Sequence, residues 1–445
     1  MSTMPLWLAA AMLAPATATP PPEPPPPATV SPATAPVATP SPASTASTPI
    51  DDGIATESLT LAQLFDLLRT DAPRHKTALA QLQVAQARKV GARVLPNPIF
   101  NFQALHLISG YNQNGFGTYT VYFQQPVLIG GQRQMRGKAA KAAERAAQSD
   151  VSAQFHDLAA EGRHVFVALQ ARQQHHEVLK SAITDLERVE AMVISRHTAG
   201  AESRYDVARI GLAVRQWRAQ TISADAEIRD VAGHLGVLVG RPQWRPHAEG
   251  QFEPMGITAD ARSLWPDVQR SQPSIRAAKD RETLAERDLK ATRREVWPQP
   301  TFGLGVVGID NFFSMSVVGG IVMPMPVFDW GQGPVAKAKA DLHVARIEKD
   351  AHVTELQAEL DRVTSVLHER KRALAGFEAD VLSQTTELQR MAEDAYVTGQ
   401  VEILELIDAV EARYELELQH VELMEHVMHA EIDVLHVVGR VEETR

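Results

Sequence analysis

The sequence predicts a mainly α-helical fold that carries a small amount of membrane-type β-structure, built from one unit written twice. Three observations lead there. Short landmarks recur in the same order at a spacing of about 200 residues. Each half holds a stretch of 3.6-residue periodicity far too long for an ordinary globular domain. Each half also switches, for two short runs, to the two-residue alternation of a strand.

The repeat is visible residue by residue. Pro73 is matched by Pro273. Val94-Leu95-Pro96-Asn97-Pro98-Ile99-Phe100 is matched by Val296-Trp297-Pro298-Gln299-Pro300-Thr301-Phe302. Pro126 to Gln132 is matched by Pro326 to Gln332, and His197-Thr198-Ala199-Gly200 by Tyr396-Val397-Thr398-Gly399. The units close alike, on Leu238-Val239-Gly240 and Val437-Val438-Gly439. We place the first unit at 58–245, the second at 246–440, and a short tail at 441–445.

Each unit opens on a capped helix: Thr60 with Gln63 fits a capping box ahead of Leu64, Phe65 and Leu68. A second helix should run to about Val94, where the paired prolines stop it, since each lacks an N–H and restricts its predecessor. Strands follow at about 98–108 and 117–125, and again at about 300–309 and 312–324. In the first pair Phe100, Phe102 and Ala104 alternate with Asn101 and Gln103, and Tyr119, Val121 and Phe123 alternate with Thr118, Thr120 and Tyr122. In the second, Phe302, Leu304 and Val306 alternate with Thr301, Gly303 and Gly305, then Phe313, Met315 and Val317 with Ser314 and Ser316. A run of about ten residues is the length of a tilted bilayer-crossing strand. Very long helices then span about 132–195 and 334–395, each roughly 90 Å at 1.5 Å per residue. Gly200 and Gly399 turn the chain into a returning helix, where a positive φ costs little only for glycine. In the last helix Ile407, Val410, Tyr414, Leu418, Val421, Met424, Met428, Ile432 and Leu435 step by three or four, as in a coiled coil.

Composition narrows the function. The 445 residues carry 44 Lys+Arg against 54 Asp+Glu, a net charge of −10 that argues against a nucleic-acid binder. With no cysteine there are no disulfides, no thiolate ligands and no cysteine lipid anchor. Residues 1–18 read as a secretory signal, with an apolar run from Met4 to Ala14 and an Ala16-Thr17-Ala18 cleavage site, although no Lys or Arg precedes the run. Residues 19–57, nearly all Pro, Ala, Thr and Ser up to residue 49, read as a disordered linker. No later segment is apolar enough for a transmembrane helix, so any membrane crossing falls to the strands.

Four strands cannot close a barrel, which needs roughly eight. An open sheet in lipid leaves edge N–H and C=O groups unpaired. If these are membrane strands, several chains must share one barrel, and the Thr, Ser, Gln and Gly face of the strands would then line a wet lumen.

In these features residues 58–440 resemble the TolC-like outer membrane factors of Gram-negative bacteria. The resemblance rests on the duplication, on the Pro96/Pro98 and Pro298/Pro300 pairs, on Pro326-Val327-Phe328-Asp329, and on Tyr396 to Gly399 followed by Glu405-Leu406-Ile407-Asp408-Ala409. It implies a homotrimer with a shared 12-stranded β-barrel in outer-membrane lipid and a helical tunnel through the periplasm. It also implies a passive exit duct that docks through a periplasmic adaptor (membrane fusion protein) onto an inner-membrane pump. Gln125 to Arg133 is similar to the Gly-Gly-Lys-Arg signature of the heavy-metal, CzcC-like branch, with Gln132 in place of the lysine. That implies export of heavy-metal cations with an RND-type pump; a drug or type I secretion duct is the alternative. A periplasmic coiled-coil adaptor is a further alternative, which the duplication and the four strands oppose.

Counted from the tip glycine, Glu405 and Asp408 match the family's acidic gate rings, where like charges brought together attract cations. Asp206 and Tyr396 match a pair that locks adjacent hairpins; the basic partner expected two residues past Gly399 is replaced by Val401. Other signals are declined. Gly303-Leu304-Gly305-Val306-Val307-Gly308 fits a dinucleotide pattern but is followed by more strand rather than a helix. His175 and His176 do not share a helix face, and only His426 and His429 have ligand spacing, without a third ligand in sequence. The acidic residues Glu411, Glu415, Glu422 and Glu425 read as a solvated helix face. No catalytic constellation, cofactor motif or metal site is expected.

Overall fold

Thr60 opens the fold as its sequence implies. Its Oγ1 accepts from the Gln63 N–H at 3.4 Å while its own N–H donates to Gln63 Oε1 at 2.9 Å, capping helix α1 (Leu61–Thr70). Helix α2 (Pro73–Gly91) starts on a proline, whose missing N–H costs nothing there. It ends three residues before Val94. Arg93 and Val94 donate back to Val90 and Gly91 in tight i→i−3 turns ahead of the prolines. The computed structural model describes residues 57–106, 108, 117–258, 260–309 and 314–443. The expected signal segment and nearly all of the linker, the loop at 109–116 and Phe313 lie outside the described residues.

Strands β2 (Ile99–His106) and β3 (Gly117–Pro126) form an antiparallel pair. Strands β5 (Thr301–Ile309) and β6 (Ser314–Val322) form another, and β3 pairs with β5 to give one four-stranded sheet in the order β2-β3-β5-β6. Between them in the chain, β4 (His247–Ala248) pairs in parallel with the short β1 (Ser58–Leu59). The large sheet's register aligns the apolar positions of all four strands. Phe102 faces Val121, Val121 faces Val306, and Val306 faces Val317. Phe100, Phe123, Leu304, Met315 and Ile321 extend this face, and all are exposed. The opposite face carries Asn101, whose amide donates to Gln124 at 3.1 Å, and Thr118, Thr120 and Tyr122. Tyr122 lies over Gly303, where a Cβ would stand 2.2 Å from its hydroxyl. Glycine there makes room for the ring.

The duplication persists in the backbone. Gly131 and Gly331 (φ 74° and 78°) precede the two long arms, Gly200 and Gly399 (79° and 74°) form the tips, and Gly240 and Gly439 (86° and 85°) end the return helices. The first arm is one continuous helix, α3 (Gln132–Thr198), of 67 residues and so about 100 Å long. Its return helix is α4 (Arg204–Val239). Helices α5 (Ala261–Ser271) and α6 (Pro273–Glu295) then repeat α1 and α2. The second arm is not the single helix expected. It runs as α7 (Gln332–Phe377), a π-helical turn (Glu378–Leu382) and α8 (Ser383–Val397), before the return helix α9 (Ile403–Val438). Among the described residues no helix is long and apolar enough to cross a membrane.

Coiled-coil spacing accounts for the lower core. Leu179, Ala182, Leu186, Val189 and Val193 of α3 step by three and four and are buried with Ile210, Val214 and Trp217 of α4. Ile407, Val410 and Tyr414 of α9 join them. Each fully buried Leu or Val contributes about 1.5–3 kcal/mol, which outweighs the weak helix propensity of the valines. The acidic face of α9 is not wholly solvated. Glu425 is buried and paired with Arg172 of α3 at 3.0 Å, and Glu411 accepts from the Trp217 indole at 3.1 Å. Glu431, fully buried, accepts from the N–H groups of Met255 and Ile257 and from Lys371 Nζ at 2.7 Å, tying the 250s segment to α9.

Candidate functional site

The two helical tips form the first candidate surface. Both arms end in the same Schellman-type turn: Ala201 donates to Arg196 at 2.9 Å, and Gln400 to Ala395 at 2.8 Å. A Cβ on Gly200 or Gly399 would meet nothing within 4 Å, so backbone conformation and not space requires glycine. The return helices restart on matching capping boxes. Asp206 accepts from the Ser203 N–H at 2.9 Å and from its hydroxyl at 2.5 Å, which holds the Asp206 carboxyl below its ordinary value. Glu405 occupies the equivalent place and accepts from the Glu402 N–H at 3.1 Å. Glu405 and Asp408 are both exposed and, three residues apart on α9, share a face.

Tyr396 and Asp206 are not bonded to each other within the chain. The Tyr396 hydroxyl donates to Glu202 Oε1 at 3.0 Å instead, and Tyr396 is buried. Arg196 completes this cluster. It pairs with Glu202 at 3.0 Å, donates to the Tyr396 carbonyl at 3.1 Å, and lies 4.7 Å from the Tyr396 ring centre. Burial, followed by the Glu202 hydrogen bond, pushes the Tyr396 hydroxyl up to about 12. The first tip is thus clasped to the second by Arg196 and Glu202, neither of which the sequence singled out. The Arg-x-x-x-x-x-Glu spacing across Gly200 carries no motif, and the contact joins residues 194 positions apart.

Above the tip lies a polar layer between α3, α8 and α9. Asp185 accepts from the Tyr414 hydroxyl at 2.7 Å; Arg413 donates to Gln389 at 2.6 Å; Arg188 pairs with Glu393 at 2.8 Å. Burial raises Tyr414 well above the usual phenol range, and Asp185 adds to it. Burial works against ionising Asp185, but the Tyr414 and Gln389 hydrogen bonds and two arginines outweigh it, so its carboxyl lies low.

The second candidate surface is the sheet. Its apolar face is exposed on every strand, and among the described residues β2 and β6 each leave one edge unpaired. Exposed Met325, Val327, Phe328 and Trp330 continue the apolar surface beyond β6.

A paired set of strands on a long, duplicated helical hairpin defines the TolC-like outer-membrane channel fold, and the comparisons with solved structures agree. The chain overlays on VceC from Vibrio cholerae with a TM-score of 0.67 at 18% identity, over 85% of this chain and 96% of that one. The Neisseria gonorrhoeae MtrE channel, in its open state, gives 0.67 at 16% identity over 86% and 91%. The outer-membrane channel OprN gives 0.66 at 17% over 85% and 89%. In sequence, the chain is similar to the cobalt-zinc-cadmium resistance protein CzcC of Cupriavidus metallidurans, 21% identical over 403 residues, which is 90% of this chain and 94% of the relative. No family model matches. The resemblance to TolC-like outer membrane factors read from the sequence is borne out.

Proposed function

We propose that the chain is one protomer of a passive outer-membrane exit duct, a trimer whose three four-stranded sheets close a 12-stranded barrel, and not an enzyme. The observation that carries this reading is the sheet with one apolar exposed face and two open edges. In lipid each unpaired backbone group costs several kcal/mol, so β6 of one chain must meet β2 of the next. The polar face of Asn101, Thr120 and Tyr122 then lines the lumen, and the long helices carry the wall into the periplasm. A periplasmic adaptor and an inner-membrane RND-type pump supply selectivity and energy.

For cargo we propose heavy-metal cations, on the similarity to CzcC. Glu405 and Asp408, exposed on one face beside the tip, are the proposed gate rings. Three copies of each would present converging negative charge to a passing cation. Tyr396, buried within the tip clasp, and Asp206, at the cap of the adjoining return helix, are the proposed contacts between neighbouring hairpins.

Two experiments test this. A heat-sensitive trimer in the outer-membrane fraction is expected; a soluble or monomeric chain overturns the duct. A deletion strain should be hypersensitive to cobalt, zinc or cadmium and be rescued by the gene. Sensitivity to drugs alone would keep the duct and discard the metal cargo.

A further inference from the structure

Histidine placement on the α3/α9 interface follows no motif, yet two imidazoles 265 positions apart meet there. His164 Nδ1 lies 2.7 Å from His429 Nδ1, with ring centres 4.9 Å apart. Each ring is backed on its other nitrogen by a carboxylate: His164 Nε2 stands 3.1 Å from Asp433 Oδ1, and His429 Nε2 3.4 Å from Glu425 Oε1. His426, which has ligand spacing to His429 along α9, is exposed and plays no part.

The three contacts form a line: carboxylate, imidazole, imidazole, carboxylate. Each needs one positive centre between two lone pairs. Two neutral imidazoles carry only two N–H groups. If both are given to the carboxylates, the two Nδ1 lone pairs face one another with nothing between them. If one is placed between the rings, a carboxylate faces a bare ring nitrogen. The row is therefore one cation short. Carboxylate-backed imidazoles with converging free nitrogens are the arrangement in which histidines ligate metals, because the backing fixes the tautomer and raises ligand basicity. The neighbouring pair His156 and His436 lacks this arrangement. Its ring centres are as close, at 5.0 Å, but His156 Nε2 is spent on the His436 carbonyl at 2.8 Å.

We propose that His164 and His429 form a binding site for one divalent first-row transition cation, zinc or its neighbours, which imidazole nitrogen suits. Two Zn–N bonds of about 2.0–2.1 Å at a tetrahedral angle span roughly 3.4 Å, so the rings must part by about 0.7 Å. Both side chains are partly exposed, at 31% and 23%, which leaves room to move and a path for the ion. Among the described residues no three His, Asp or Glu side chains converge on one point, so water completes the coordination and the site exchanges its ion readily. Arg172 shares Glu425 at 3.0 Å, while Arg362 and Arg370 act on Asp433 from α7. Asp433, at the shorter distance and with no arginine hydrogen bond to it, is the stronger backing group.

This site does not rest on the export reading: binding is read on purified protein, export on growth. The full-length chain, carrying a tag without histidine, is titrated in detergent with zinc against a chromogenic chelator at pH 7.5. One zinc per chain is expected. His164→Ala and His429→Ala should each abolish it, and Asp433→Asn should weaken it by about 10- to 100-fold with both imidazoles in place. Glu425→Gln should weaken it less, and His420→Ala, elsewhere on α9, should leave it unchanged. Zinc bound equally by wild type and both alanine variants, or not bound by wild type, overturns the site. If the alanine variants fail to fold, Asp433→Asn decides, and an unchanged affinity there overturns it.

Discussion

Removing one oxygen atom, in Tyr396→Phe, isolates the link between the two tips. Tyr396 is buried, its hydroxyl donates to Glu202 at 3.0 Å, and its ring carries Arg196 at 4.7 Å. A hydrogen bond to a charged group is worth about 1.5–3 kcal/mol. Glu202 keeps Arg196 at 3.0 Å, so its carboxylate is not stranded. The lower end of that range, about 1.5 kcal/mol, is therefore expected. Phenylalanine also keeps the cation–π contact. The measurement is local: hydrogen–deuterium exchange in peptides covering 194–203 and 394–403. A loss of about 1.4 kcal/mol corresponds to tenfold less protection if exchange occurs by local opening. Tyr396→Ala, which also empties the ring's site, should cost a further 3–5 kcal/mol or so and abolish protection in both peptides. If Tyr396→Phe is silent while Tyr396→Ala loosens both tips, the clasp is packing alone and the hydroxyl–carboxylate reasoning is refuted.

Other outcomes follow from the same contacts. The Tyr396 hydroxyl is raised from 10 to about 12 in the folded chain, so the folded state holds the neutral phenol; its contribution is fully present below pH 10 and is lost as pH rises through 12, which an ultraviolet phenolate titration of wild type against Tyr396→Phe would resolve. Burial lowers His156 below 6.5, so its contribution is present above pH 6.5 and lost as pH falls; His156→Gln should flatten the decline of thermal stability on acidification. Glu431→Ala takes the carboxylate from Lys371, which keeps the Ile257 carbonyl at 2.7 Å, and from two backbone N–H groups and should cost about 3–5 kcal/mol, seen as a lowered unfolding temperature. Glu405→Gln with Asp408→Asn should relieve divalent-cation block in planar bilayers, and unchanged block would remove the gate-ring proposal. Gly200→Ala should cost only about 1–2 kcal/mol for its left-handed backbone, since a Cβ there meets nothing, whereas Gly303→Ala must displace Tyr122 and should alter single-channel conductance.

What the sequence disclosed was local. Thr60 with Gln63, the paired prolines, the tip glycines and the strand alternation each lie within a few residues, where propensity and sterics act. The duplication added long-range information, because the second copy repeats the first. What stayed hidden joins distant segments. Glu431 with Lys371, Arg196 and Glu202 with Tyr396, and His164 with His429 combine residues whose partners the packing of α3, α7, α8 and α9 selects. Asp206 shows the same limit from the other side: its position was found, but its nearest partner is Ser203 in its own helix cap.

The π-helical turn of the second arm acts on that arm as a frameshift acts on a reading frame. Before it, the buried positions Leu360, Val363, Leu367 and Leu374 keep heptad phase, and continuing that phase would bury 388 and 395. After it, Gln389 and Tyr396 are buried instead, at 4% and 1%, while Leu388 is 55% exposed. One surplus residue has turned the helix by about 100°. The segment below the turn therefore presents a different side to α3 and α9, and it is a polar side, which is why Gln389 comes to bond Arg413 where a leucine would have packed. The first arm, with no such turn, keeps one phase from Leu179 to Val193, so two copies of one ancestral rod now differ in which of their faces does the joining.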